Sequence, residues 1–390
     1  MAVIGSLGKT TAGRAIAAAL DCHDRSFSHN SFSSNLAGNV LRVRPWDKHT
    51  AIEVSISAPG QMLKYAKMVR PNIVVVTSVK SDHNGSFATL LETRKEKVQM
   101  VSFLPKDGIA ILNGDDENVR WMATQTKARI VTFGMSTGND IRATKVDLND
   151  DGSTNIEVQI AGVTHHFHNP LVGEHMAYPA LAAVAVAHVE KMEMAAVFSR
   201  LAKVRTAISR MEWVMLPNGI RVLDDSFKST QESIDTVLDT FAKIPAKRKI
   251  VVMGRIEEPI GKARDRYREL GTRLARFSDF LLCVGGNELT SMRAAAVAAG
   301  MDASTIKILG SRIEGAAEWL QSILQPGDVV LIKGALPQML RRILLQLMGK
   351  KVSCNLSYCT IKARSCDECP LLNGPKSFYG NYFVSRYIKL

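Results

Sequence analysis

The chain has 390 residues, of which 46% are hydrophobic and 22% charged, with a formal net charge of +13. This balance excludes a disordered or fibrous chain and leaves room for two or three domains, each with its own core. The positive charge favours anionic ligands such as nucleotides, but Lys and Arg are scattered without interleaved aromatic residues, so no nucleic-acid partner is expected. The longest apolar runs, such as Ala180 to Val189 and Phe280 to Val284, fall short of the ~20 residues that span a bilayer. With no membrane segment and no signal peptide ahead of the first motif, the expectation is a cytoplasmic protein.

Ala2-Val3-Ile4 reads as a short strand, followed by Gly5-Ser-Leu-Gly8-Lys9-Thr10-Thr11 and a helix from Ala12 to Leu20. A glycine-rich turn between strand and helix aims backbone N–H groups at a polyphosphate. Lys9 adds a positive charge, and the Thr10 hydroxyl is suited to Mg²⁺. Gly5, Gly8, Lys9, Thr10 and Thr11 are therefore the candidate nucleotide-binding residues. The usual phosphate loop has four residues between its glycines and this one has two, yet both glycines, the lysine and the hydroxyl are present.

Further strand-like runs follow at 50–55, 73–77, 109–113, 130–133, 220–223, 250–253, 280–284, 306–309 and 329–332. Helical periodicity marks 90–101, 179–189, 229–241, 264–277 and 312–324. The alternation predicts an α/β fold: a P-loop ATPase domain with a mainly parallel sheet, then a Rossmann-like C-terminal domain and a short Cys-rich tail. Residues 140–167 alternate polar and apolar around Asn149-Asp-Asp-Gly152 and predict a small antiparallel hairpin inserted at the sheet edge. His165, His166 and His168 fall in it, where cross-strand surface pairing is the expected use. The domain boundaries are set at 1–207, 208–350 and 351–390.

Within these elements, Glu53 sits in an apolar strand, where a carboxylate needs a cation, so it is a candidate Mg²⁺ ligand; an exposed edge-strand glutamate is the alternative. The strand at 73–77 delivers Asp82 and His83 from its C-terminal end, where ligands of open α/β sheets gather. Lys97 lies on the next helix, and the strand at 220–223 ends in Asp224-Asp225 after Arg210-Met-Glu212.

Taken in order, these strings resemble the Mur ligase superfamily, the ATP-dependent amide-forming ligases of peptidoglycan synthesis and their folylpolyglutamate and cyanophycin relatives. The resemblance covers roughly residues 1 to 350. It rests on the loop at Gly5 to Thr11, Glu53, Thr77-Ser-x-x-x-Asp82-His83, Leu104-Pro-x-Asp-Gly-x-Ala-x-Leu-Asn-x-Asp-Asp116, Gly173-x-His175, Arg210-Met-Glu212, Asp224-Asp-Ser226 and Gly327-Asp-Val-Val-Leu-Ile-Lys333-Gly334. It implies that a carboxylate substrate attacks the γ-phosphate of ATP and that an amine or amino acid opens the resulting acyl phosphate. Lys9 and the loop amides would stabilise the transferring group, with Thr10 and Glu53 on one Mg²⁺ and His83 on a second. A carbamylated lysine of the family also supports the second Mg²⁺; counting back from Leu104-Pro105 selects Lys97, counting forward from Gly85-Ser86 selects Arg94. Asp225 would approach the ATP ribose and Arg210 its phosphates, so that domain closure shields the acyl phosphate from water.

Three strings depart from the family. Gly-x-His-Asn-x-x-Asn, which faces adenine, reads Gly173-Glu-His175-Met-Ala-Tyr178-Pro179, without either asparagine. Asp-Ser-Tyr-Asn-Ala-Asn-Pro reads Asp225-Ser-Phe227-Lys228-Ser-Thr-Gln231, and Lys-Gly-Ser-Arg reads Lys333-Gly-Ala335-Leu336. The loop also begins at the fifth residue, with no room ahead of it in this sequence for the UDP-binding domain of peptidoglycan ligases, so the expectation is a different acid, a separate subunit that binds the UDP moiety, or a chain truncated at its N-terminus. An ATP-binding subunit without catalysis is the second reading. A GTPase is the third, resting only on Thr144-Lys-Val-Asp147.

The tail carries Cys354-x4-Cys359-x6-Cys366-x2-Cys369, four of the six cysteines. Four thiolates with one CxxC pair suit a tetrahedral structural Zn²⁺; redox or disulfide use, or no special role, are the alternatives.

Overall fold

Short apolar runs alternate with stretches whose apolar residues recur every three or four, and a computed structural model folds them into two compact units, Met1–Ala207 and Ile208–Leu390. The structure describes residues 1–22, 33–80, 86–354, 356–359, 365–369 and 371–373.

In the first unit the chain runs β1 (Ala2–Ile4), α1 (Lys9–Ala19), α2 (Ser33–Leu41), β2 (Ile52–Glu53), α3 (Gln61–Val69), β3 (Ile73–Val76), α4 (Leu90–Ser102), β4 (Ile109–Asn113) and α5 (Glu117–Met122). It continues with β5 (Arg129–Gly134), β6 (Ile141–Leu148), β7 (Thr154–Ile160), β8 (Val163–Asn169), α6 (Ala177–Val189) and α7 (Met194–Leu201). The strands form one sheet in the order β2-β1-β3-β4-β5-β6-β7-β8, parallel from β2 to β6 and antiparallel from β6 to β8. Val3 and Ile4 of β1, Val74, Val75 and Val76 of β3 and Ile111 of β4 are wholly buried, as expected of strands covered on both faces. One face carries Met62 and Tyr65 of α3 and Met100 and Val101 of α4. α6, rich in Ala and Val and buried along most of its length, packs with α1.

The expected edge hairpin at 140–167 is corrected in one respect: it has three strands, and its first, β6, pairs in parallel with β5, so it extends the main sheet. Strict alternation, with Ile156, Val158 and Ile160 buried and the polar residues between them on the opposite face, makes β7.

The second unit runs β9 (Glu212–Met215), β10 (Arg221–Asp225), α8 (Gln231–Lys243), β11 (Lys249–Met253), α9 (Ala263–Leu274), β12 (Phe280–Val284), α10 (Glu288–Ala298), β13 (Ile306–Leu309), α11 (Ala316–Ile323), β14 (Val329–Lys333) and α12 (Arg341–Leu347). Its sheet order is β13-β12-β11-β14-β10-β9, parallel except for β9. Among the described residues no helix is long and apolar enough to cross a membrane.

Where α9 packs on α10, a Cβ on Gly271 would lie 2.1 Å from the Met292 carbonyl oxygen, a backbone atom that cannot step aside. Helix propensity favours Ala over Gly by about 1 kcal/mol, but overpacking costs about 1–3 kcal/mol. Gly271→Ala is therefore expected to lower the urea midpoint of unfolding; an unchanged or raised midpoint would contradict this packing.

Candidate functional site

The sheet of the first unit reverses its strand order at β1, which has β2 on one side and β3 on the other, and the ligand crevice of such a sheet opens at that point. The loop Gly5 to Gly8 lies there and leans on the exit of β3. Thr77 Oγ1 donates to the Leu7 carbonyl at 2.6 Å, Ser6 N donates to the Ser78 carbonyl at 2.8 Å, and Leu7 N donates to Ser78 Oγ at 3.0 Å. At Gly5, φ is +145° and a Cβ would stand 2.1 Å from Thr77 Oγ1, so contact this close admits no side chain. Gly8, at φ +79°, turns the chain into α1, which starts without a side-chain cap. Its first-turn N–H groups thus form an anion-binding end.

Several residues singled out in the sequence converge on this loop. Lys9 folds back so that Nζ donates to the Gly5 and Ser6 carbonyls at 2.8 and 3.0 Å. Thr10 Oγ1 donates to Glu53 Oε2 at 2.8 Å, and Ser55 Oγ donates to the other Glu53 oxygen at 3.4 Å. Although β2 is the edge strand, Glu53 is only 2% exposed. Two hydroxyls are the partners seen for this buried carboxylate, and hydroxyl plus carboxylate oxygens are the hard donors that Mg²⁺ takes. Lys97 is equally buried and its Nζ donates to Ser6 Oγ at 2.8 Å. Arg94 instead stacks on Trp121, 4.2 Å from the ring centre. Thr11 is buried in α1, and Asp82 and His83 lie outside the described residues.

The motif ending in Asp116 explains how the exit of β3 is held. Asn113 Nδ2 donates to the Thr77 carbonyl at 2.8 Å, and Asp116 accepts from Val79 N at 2.9 Å while capping α5 through Asn118 N and Val119 N. Glu96, beside Lys97 and given no role from sequence, accepts from Gly60 N and Met62 N at 3.0 and 2.7 Å and so anchors the start of α3. Only its place on the inner face of a helix could have signalled this.

At the adenine-facing string, Met176 stands in place of the first asparagine and is buried, while Tyr178 donates to Asp115 Oδ2 at 3.0 Å. Asp115 also accepts from Met135 N and Ser136 N at 2.6 and 3.0 Å. Burial pushes the Asp115 carboxyl up, but the bonds from Met135, Ser136 and Tyr178 outweigh it and hold it below its ordinary value. Burial, and then the Asp115 charge, push the Tyr178 hydroxyl up.

Within the second unit, Arg210 lies between Ser209 and Met211, both at positive φ (+59° and +52°), a strained turn fixed by the acids of β10. Ser209 Oγ donates to Asp224 at 2.8 Å and Met211 N to Asp225 at 3.1 Å, while the Arg210 guanidinium stacks 4.0 Å from the Phe227 ring centre. Asp225 is also paired with the wholly buried Lys333 at 2.6 Å, a consequence of the register that sets the ends of β10 and β14 side by side. Arg341 then joins Asp224, Glu212 and Asp367 in one network, at 2.6 Å and 2.7 Å from the first two.

A phosphate loop backed by a buried hydroxyl–carboxylate pair, at the turn of a mainly parallel sheet, defines a nucleoside-triphosphate-using protein of the P-loop class. Residues 3–187 match the Mur ligase middle domain and residues 209–336 the Mur ligase glutamate ligase domain. The chain belongs to the Mur ligase family, the ATP-dependent amide-forming ligases. Among its relatives, the UDP-N-acetylmuramoyl-tripeptide--D-alanyl-D-alanine ligase of Synechocystis is 26% identical over 89% of this chain and 74% of the relative. The enzyme of the same name from Escherichia coli K12 is 26% identical over 65% of this chain and 57% of the relative. The crystal structure of MurF from Acinetobacter baumannii superposes with a TM-score of 0.78 at 20% identity, over 90% of this chain and 76% of that one. MurF from Thermotoga maritima, in complex with ADP, gives 0.72 at 20% identity, over 90% and 79%.

The contact at Gly5 makes a direct prediction: Gly5→Ala should weaken ATP binding by at least about tenfold, or about 1.4 kcal/mol, measured by calorimetry, and unaltered affinity would contradict the close approach. A second concerns acid. A carboxyl held below its unfolded value stabilises the fold above the ordinary carboxylate range and loses that contribution as pH falls through the folded value. Asp115→Asn should therefore show a smaller drop in melting temperature between neutral and acidic pH than the parent chain. Parallel curves would refute the assignment.

Proposed function

We propose that the chain is an ADP-forming carboxylate–amine ligase that works through an acyl phosphate, with the loop of the first unit as its phosphoryl-transfer site. The observation that carries this reading is the contact of Thr10 with Glu53 beside a loop on which both Lys9 and Lys97 converge. An oxygen of the acid attacks the γ-phosphorus, the bond to the β-phosphate oxygen breaks, and ADP leaves. The amine then attacks the acyl carbon, phosphate departs, and the amine gives up a proton. Lys9 and the loop N–H groups hold the charge that builds on the transferring phosphoryl group. Thr10 and Glu53 would hold Mg²⁺, which when bound neutralises charge on the phosphate oxygens. His83 is assigned to a second ion with Lys97, carried as its carbamate, beside it. Arg210 and Asp225 are assigned to the nucleotide.

The substrates are a small-molecule carboxylate and an amine or amino acid. Met176 and Pro179 replace the asparagines that face adenine in the family, and Phe227, Lys228 and Ala335 change the two strings of the second unit, so the adenine contact and the amine are expected to differ from those of the named relatives. The cytoplasm, where ATP is at hand, is its proposed location. An ATP-binding partner subunit without catalysis is not favoured, because the relatives are named as ligases.

The test is ADP release with a panel of acids and amines that includes D-alanyl-D-alanine. Lys9→Ala should lower kcat by about 10²–10³; ADP release at background with every pair, unaffected by that substitution, would sink the proposal. Lys97→Ala should be inactive and regain activity with added short carboxylic acids, and full activity without them would remove Lys97 from the mechanism.

A further inference from the structure

Beyond α12 the chain folds back on its own unit. Cys354 N and Ser353 N donate to the Leu372 carbonyl, and Cys359 N donates to the Pro337 carbonyl at 2.7 Å. Cys354, Cys359, Cys366 and Cys369 thereby line one cavity of about 20 Å³ with Met339, Arg342 and three leucines. That is room for about one water-sized particle. A water there would find few polar partners.

Arg342 is the second observation. It is 1% exposed, and its guanidinium donates to the carbonyls of Met339, Cys354, Gln338 and Leu356 and to Cys354 Sγ at 3.4 Å. Among the described residues it has no carboxylate partner, so with neutral thiols this buried cation lacks a counter-charge. Its neighbour Arg341 pairs with Asp367, which lies between Cys366 and Cys369, so the CxxC turn is held from outside as well.

We propose that the four cysteines form a structural site for one Zn²⁺ ion. Binding forms four Zn–S bonds and releases the four thiol protons to solvent, leaving a tetrathiolate centre with two negative charges, one of which Arg342 balances. Among the described residues no three such side chains already stand in metal-holding geometry, so the ion draws the sulfurs inward.

Full-length chain, purified from zinc-supplemented cells, is expected to retain one zinc per chain by elemental analysis, and Co²⁺ exchanged into it should give the visible bands of tetrahedral thiolate cobalt. Arg342→Gln should weaken zinc affinity about 10–100-fold in a chelator competition, and the Cys366→Ser, Cys369→Ser double variant should abolish the cobalt spectrum. The Lys9→Ala variant should keep its zinc, which separates this proposal from the ligase reading. Metal-free protein with four titratable tail thiols, or non-reduced peptide maps showing a disulfide among these cysteines, would overturn it.

Discussion

The approach of the loop to the exit of β3 is the constraint on which the first unit depends. Thr77 occupies the space that a side chain at Gly5 would need, and its hydroxyl closes on the Leu7 carbonyl. Everything else in the site is referred to that contact. The loop takes its curvature from it, α1 starts where the loop ends, and Ser6 is left where Lys97 can reach it. Asn113 and Asp116 in turn hold the segment after Thr77, so three successive parallel strands supply a single rigid mount.

This arrangement also explains how a buried carboxylate is tolerated on an edge strand. Glu53 lies under α1, with Thr10 above it, so the helix rather than another strand excludes water. An acid in that position has few neutral partners and is suited to sharing a cation. The same economy appears in the second unit, where Lys333 has no exposed surface and is stabilised by Asp225, the Lys228 carbonyl and Ser233.

Much of this was legible in the sequence. The central parallel strands could be placed because they are continuous apolar runs, and 109–113, 280–284 and 306–309 fall where β4, β12 and β13 form. The phosphate loop was legible because its backbone demands particular residues. Short helices were not: α3 and α5 are only nine and six residues long, and their starts are fixed by Glu96 from another helix and by the Asp116 cap. The third strand of the edge insertion was missed because exposed His and Thr residues mask its alternation. Spacing alone left both Lys97 and Arg94 in view, and neither the burial of Lys97 against Ser6 nor the stacking of Arg94 on Trp121 can be read from it.

Arg341 is shared by Glu212 on β9, Asp224 on β10 and Asp367 in the tail. Asp224 is wholly buried and cannot turn to solvent, so this guanidinium is the cation that compensates it, while the partly exposed Glu212 and Asp367 share its remaining donors. The tail is thus written into the sheet. Across related chains, an acid at 367 should occur only where the arginine at 341 is kept, because Asp367 has its cation there, whereas Arg341 still holds Asp224 and Glu212 when the tail differs.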